Sequence, residues 1–256
     1  MLLVLLTIVI VLAVDRSEPL APLSAAPDRP AAVSNTGTIL VQSTESIQAA
    51  LQSAAAGTTV LVEPGEYRET MMLKSYIRVV SRVPHGALIR LPGSASDVDA
   101  AIQAHDVTDA AVEGFKVIGD AATPLGTGVA VTNSEVSMSG IEITGAATAA
   151  VEVDATSRVR LIGSDIHDNP GAALVLRPGA NAAISHNVFM RNGSANRRTA
   201  WSVEENSAAT FMANVFLGIS PDMFAGSSDA RARLARDNWF MDGKAMRPVR
   251  PRPGGR

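Results

Sequence analysis

The sequence predicts an all-β fold, a single-stranded solenoid of stacked parallel coils, and three ladders of recurring residues predict it. Val153, Leu176 and Val203 recur at intervals of 23 and 27 residues. Ile166, Phe189 and Phe216 recur at the same two intervals, as do Ser164, Asn187 and Asn214, and this last series reaches Asn238 two residues before Phe240. Units of this length, made of short alternating strands, bury their apolar faces by stacking on one another. Composition suits thin layers, since apolar residues make up 46% of the chain and aromatics only 4%, leaving Val, Ile, Leu and Ala to build the core. One continuous repeat over 256 residues favours one large domain. The absence of cysteine excludes disulfides, thiol nucleophiles and thiolate-bound metal. A net charge of −3 argues against a general nucleic-acid binder, although residues 231–256 carry eight Arg or Lys against two Asp.

Taken in order, residues 1–14 (MLLVLLTIVIVLAV) carry no charge and read as the apolar region of a signal peptide or as part of a membrane anchor. They lack a basic leader and fall short of the roughly 20 residues of a spanning helix. One explanation is that Met1 is not the true start and that the chain is the distal part of a longer membrane protein. Residues 15–37, rich in Pro, Ala and Ser without periodicity, read as a disordered linker. Order is expected from Thr38 to Phe240. TILVQ (38–42) reads as a strand, and Ile47, Leu51 and Ala54 lie at helical spacing within 45–55, predicting a short amphipathic helix that Gly57 stops. Thr59–Val62 alternates as a strand before the Pro64-Gly65 turn. Such a helix fits over the open end of a coil stack, where its apolar stripe covers the first core layer.

The run SIQAALQSAAAGTTVLVEPGEYRE (46–69) resembles the opening of pectate lyase-like right-handed parallel β-helix proteins, in which a helix precedes a strand and a Pro-Gly-x-Tyr turn. The resemblance covers about residues 38–240, together with the Asn-x-Phe repeats, and implies a right-handed parallel β-helix of roughly seven coils with an N-terminal capping helix. Right-handed crossovers are also the rule for parallel strands.

Within the coils, Ile77–Val80 and Ala87–Leu91 read as strands. Ala104, Val131, Val153, Leu176 and Val203 form one inward ladder, and Val117, Ile143, Ile166, Phe189, Phe216 and Phe240 form another. Their neighbours must point outward. Asn187, Asn214 and Asn238 are expected to pass hydrogen bonds between stacked bends. The bend after the third strand is short at 168–172 and long at 190–200, and such variable loops on a rigid scaffold are where binding is carried. The tail 241–256, with Pro248, Pro251 and Pro253, is expected to leave the coil as a disordered basic segment.

In the family that the opening resembles, substrate lies along the outer face of the first strands. Carried onto this chain, that face presents Gln103, Ala130, Glu152, Val175 and Ser202, then Asp154, Arg177 and Glu204, with His167, Asp168, Arg197 and Arg198 on the flanking bends. The candidate catalytic residues are therefore Arg177, Glu152, Asp154 and Glu204, and the candidate binding residues His167, Asp168, Arg197 and Arg198. One functional reading is β-elimination on an acidic polysaccharide, with carboxylates holding Ca²⁺ against a uronate and Arg177 taking the proton. Its structural counterpart is a salt-bridge ladder from Asp154 through Arg177 to Glu204. A hydrolase would need two carboxylates, for which Glu142 and Asp165, one coil from Lys116 on the outer third-strand face, are in place. None of the polygalacturonase signatures occurs. His186 reads as a bend residue, no metal site is assigned, and Asn192-Gly193-Ser194 is formally a glycosylation sequon. Beyond Asp165 the third-strand outer face turns apolar at Val188, Val215 and Trp239, a stripe that residues 219–233 are expected to cover, the alternative being that it meets a partner.

The expected function is an extracytoplasmic module, secreted or held at the membrane by its N-terminal segment, that binds a polysaccharide or cell-surface glycan along its flank. The enzymatic alternative is a polysaccharide lyase, with Ca²⁺ as its cofactor, and a further alternative is the sensor or scaffold part of a larger membrane protein.

Overall fold

Every third strand along the chain joins the same sheet, so that three parallel sheets rise side by side. The structure, a computed structural model, describes residues 37–93, 100–193, 201–203, 208–218, 224–225, 228–242 and 245–248. These residues fall in one of the chain's two compact units, Ser34–Arg256. The first strands of the coils make a seven-stranded sheet, the second strands an eight-stranded sheet and the third strands a nine-stranded sheet. Among the described residues this is the parallel β-helix of roughly seven coils that was expected, and Thr38–Val41 pairs in register with Thr59–Val62 at the start of the second sheet.

Both apolar ladders stack as the spacing requires. Ala104, Val131, Val153, Leu176 and Val203 are direct neighbours through successive first strands. Val117, Ile143, Ile166, Phe189, Phe216 and Phe240 do the same through the third. Stacking at the parallel-strand spacing of about 4.8 Å puts rings over rings. Phe189 and Phe216 lie 5.2 Å apart and Phe216 and Phe240 4.6 Å apart, with Trp201 edge-on to Phe189 at 4.4 Å.

The asparagine ladder closes the bend between second and third strands. Each side-chain oxygen accepts from the backbone N–H of the coil before it, Asn187 from Ser164 at 2.8 Å, Asn214 from Asn187 at 3.0 Å and Asn238 from Asn214 at 2.9 Å. Each amide N–H₂ in turn donates to a backbone carbonyl, that of Asn214 to Ile184 at 2.9 Å and that of Asn187 to Leu161 at 3.0 Å. All three side chains are buried, and in this way their polar atoms are satisfied.

The capping helix spans Ile47–Ser53 and buries Ile47, Leu51 and Ala54 against the first coil. Ser46 caps it by accepting from the Ala49 N–H at 3.1 Å. The Glu69 carboxylate accepts from the N–H groups of Ile47 at 2.8 Å and Gln48 at 3.1 Å and from the Ser46 hydroxyl at 2.6 Å, so the turn residue after Tyr67 ties the helix to the first coil. An acid at a helix start also complements its dipole.

At the other end, a second helix, Ser228–Asp237, lies between Phe224–Ala225 of the first sheet and Trp239–Asp242 of the third. It thus takes the chain position of a second-sheet strand. Its Leu234 is buried, while Trp239 stays 50% exposed; of residues 219–233, expected to cover that end of the third-strand face, 219–223 and 226–227 lie outside the described residues. The tail expected to be disordered differs in one stretch: Ala245–Pro248 pairs antiparallel with the last third-sheet strand. Pro248 is tolerated there because it ends an edge strand, where a missing donor costs no ladder bond. No helix among the described residues is long and apolar enough to cross a membrane.

Candidate functional site

On the first-sheet flank, Gln103, Ala130, Glu152, Val175 and Ser202 stand in register. Arg177 donates to one oxygen of Glu152 through Nε at 3.1 Å and Nη2 at 2.6 Å. It reaches diagonally to Glu152 where the sequence suggested Asp154, because Asp154 is committed to its own bend. The Asp154 carboxylate accepts from the Ser157 hydroxyl at 2.7 Å, the Asn133 N–H at 3.1 Å and the Thr156 N–H at 3.3 Å. Burial pushes the Asp154 pKa up, but these bonds outweigh it and hold the group below its ordinary value. Arg177, Glu152 and Asp154 form ion-pair and bend contacts, and Glu152 with Asp154 does not fit a Ca²⁺ site, which converges about six to eight oxygens. Among the described residues no group of three or more His, Asp or Glu is arranged to hold a metal. Glu204, Arg197 and Arg198 lie outside the described residues.

His167 and Asp168 are brought together at the end of the third strand of their coil, within a larger network than their spacing suggested. His167 Nδ1 lies 2.7 Å from the Asp168 carboxylate and its Nε2 3.3 Å from Glu142, one coil back. Lys116, a further coil back, reaches Glu142 at 2.7 Å, and His85 Nδ1 stands 3.5 Å from the other Glu142 oxygen. Arg191, one coil forward, grips both oxygens of Asp168 at 2.5 Å. The result is a row of fixed charges running from coil to coil.

The electrostatics follow from this packing. Glu142, although it points outward, has a side chain only 14% exposed beneath Lys116 and the two histidines. Burial raises its pKa, but the bond and charge of Lys116, aided by His167 and His85, bring it below its ordinary value. That is the wrong direction for a general acid. The Arg191 guanidinium, with help from His167 and against a smaller desolvation effect, lowers the Asp168 pKa from 3.8 to about 2.

Backbone geometry marks the same bend. Asp168 and Arg191 adopt left-handed conformations, φ 53° and 51°, at a position that the adjoining coils give to Gly145 and Gly218. A non-glycine residue there costs about 1–2 kcal/mol. The bend is pinned by a second asparagine pair that the sequence reading missed. Asn169 donates to the Asn192 oxygen at 2.8 Å, and Asn192 donates to the Ile166 carbonyl at 2.8 Å. Asn192 is 2% exposed, so its sequon is closed to glycosylation. His186, with φ 59°, is a bend residue whose N–H donates to the Met212 carbonyl.

Glu142 and Asp165 are register neighbours, as expected. The outer face to which they belong is a ribbon two side chains wide, because most third-sheet strands are three residues long. One column runs Lys116, Glu142, Asp165, Val188, Val215, Trp239, and the other includes His167, Met190, Leu217 and Met241. The ribbon is charged over its first half and apolar over its second, ending on the half-exposed Trp239. Its missed members are His85 and Arg191. Arg191 had a signal, since it precedes Asn192 as Asp168 precedes Asn169; His85 had none, lying in an irregular early coil.

A family model described as "Right handed beta helix region" matches residues 95–233. No curated protein sequence gives a significant match. Similar solved structures include a provisionally named glycosyl hydrolase from Parabacteroides merdae ATCC 43184, 17% identical, TM-score 0.49, covering 71% of this chain and 90% of that one. Another is an alginate lyase from Paenibacillus sp. str. FPU-7, 11% identical, TM-score 0.48, covering 80% of this chain and 86% of that one. A third is the pectin methylesterase from Aspergillus niger, 12% identical, TM-score 0.41, covering 80% and 84%.

Proposed function

This chain belongs to the right-handed β-helix family, and from that premise we propose that it is an extracytoplasmic module holding a linear carbohydrate along the outer flank of its third sheet. The observation that carries the reading is the ribbon itself, a strip of preset polar groups leading to a half-exposed indole at Trp239. Carbohydrate recognition asks for that pairing: an aromatic face that packs against the apolar side of a sugar ring, and polar groups already oriented to meet hydroxyls. Groups locked in ion pairs lose little freedom on binding. With two outward residues per coil, two positions apart at about 3.3 Å per residue, the strip is about 7 Å wide, which suits one extended chain. The extracytoplasmic location is supported by the uncharged apolar run at residues 1–14.

Affinity electrophoresis and calorimetry of the full chain against a panel of soluble polysaccharides test this reading. Binding to at least one polymer is expected, weakened about tenfold or more in Trp239→Ala, because a ring face covering roughly 80 Å² is worth about 2 kcal/mol. Unchanged affinity in that variant would place the binding elsewhere.

A further inference from the structure

We infer that the third-sheet flank takes an uncharged polyhydroxy chain in preference to a uronate polymer, an inference that rests on the carbohydrate reading above. Among the described side chains, each cation on or beside the flank is already held by a carboxylate: Arg68 by Glu66 at 2.6 Å, Arg90 by Asp120 at 2.5 Å, Lys116 by Glu142 at 2.7 Å and Arg191 by Asp168 at 2.5 Å. His85 and His167 face Glu142 as well. Among the described side chains one carboxylate is left over. Asp165, between Glu142 and Val188 in register, has no side-chain hydrogen bond or ion pair among the described residues.

An anionic sugar laid on this ribbon would meet an unpaired carboxylate, and could gain one of these cations only by breaking an existing pair. At the Lys116–Glu142 pair, whose side chains are 29% and 14% exposed, displacing a partner costs more than the new contact returns. A neutral sugar faces no such conflict. Its hydroxyls donate to the Asp165 oxygens, which offer acceptors only, and its ring lies against the apolar half of the strip. Asp165 and Trp239 are three register steps apart, through Val188 and Val215. At about 4.8 Å per step that is roughly 14 Å, so a ligand touching both is an oligosaccharide and not a single sugar.

Calorimetry on the full chain decides the point, with dextran, glucomannan and galactan as neutral probes and polygalacturonate and alginate as acidic ones, at low and high salt. The expected result is salt-insensitive binding of a neutral polymer, at least tenfold tighter than either acidic one. Asp165→Asn should weaken neutral binding about tenfold, as loss of a hydrogen bond to a charged group does, while Trp239→Ala weakens it independently. Tighter, salt-sensitive binding of an acidic polymer that Trp239→Ala still weakens would overturn the neutral preference and leave the flank reading standing. Binding of no polymer in either class, or binding indifferent to Trp239→Ala, would overturn the flank reading itself. Circular dichroism of both variants, which alter partly exposed positions, separates loss of binding from loss of fold.

Discussion

Asn214 carries more of the fold than its size suggests. Its oxygen accepts from the Asn187 backbone and side chain at 3.0 and 2.9 Å, and its amide donates to Ile184 and to the Asn238 oxygen, 2.7 Å away. Truncation would leave the buried Asn187 N–H without its acceptor and take a donor from the Ile184 carbonyl and the Asn238 oxygen, at about 1–3 kcal/mol for each unsatisfied group. Asn214→Ala should therefore lower stability by several kcal/mol in chemical denaturation, and an unchanged midpoint would deny the ladder its role. Arg191 sets two effects against each other. Its exposed pairing with Asp168 is weakened by solvent screening, and its left-handed backbone costs at least as much as the pairing returns. Arg191→Gly should accordingly be as stable as the parent or more so, and Arg191→Ala less stable; equal losses in both would mean that the ion pair dominates. Asp168 adds a pH dependence. Because its folded pKa lies near 2, below the ordinary 3.8, its contribution is complete above about pH 4 and fades as pH falls toward 2. Thermal melts of Asp168→Asn should show a flatter acid limb than the parent. Much of this scale was legible, since Asn187 and Asn214 announce themselves by interval. Asn169 and Asn192 did not, because two members make no series. The partner of Arg177 was hidden for another reason: a long side chain can choose between Glu152 and Asp154, and the bonds that commit Asp154 to its bend are not written in any spacing.

Among the elements, the capping helix shows how seven residues become stable outside a larger helical context. A helix this short does not hold in water by itself. Its N–H groups are satisfied from outside, by Ser46 and above all by Glu69, and its apolar face is covered by the first coil. Glu69→Ala should cost about 1–3 kcal/mol by unpairing the helix start, with fraying detectable as faster amide exchange at Ile47 and Gln48. Exchange there as slow as in the parent would argue that packing alone holds the helix. Ile47, Leu51 and Ala54 made this helix readable from sequence, because helical periodicity survives in a short window. The second helix was not anticipated. Its chain carries the charge-rich SDARARLARD with one buried leucine, Leu234, too little pattern to separate from a loop.

For the molecule as a whole, stability in a stacked array is a sum of neighbour interactions, so it need not be even along the stack. Leu176, Ala182 and Ile184 are buried in one coil, whereas Val203, Ala209 and Phe211, their counterparts in the next, are only partly so. Backbone amides of 208–212 should therefore exchange faster than those of 181–185, and uniform protection across both would show that the array opens only as a unit. A coil stack is in effect a one-dimensional crystal, and its ends are faces on which another chain could grow. At the last turn each of the three growth fronts is stopped by a different device. The second sheet meets a helix, the third an antiparallel return at Ala245–Pro248, and the first only the two-residue strand Phe224–Ala225. Among the described residues the ends thus differ from sheet to sheet, and an interrupted edge of this kind is a poorer template for another chain than a flat continuous one.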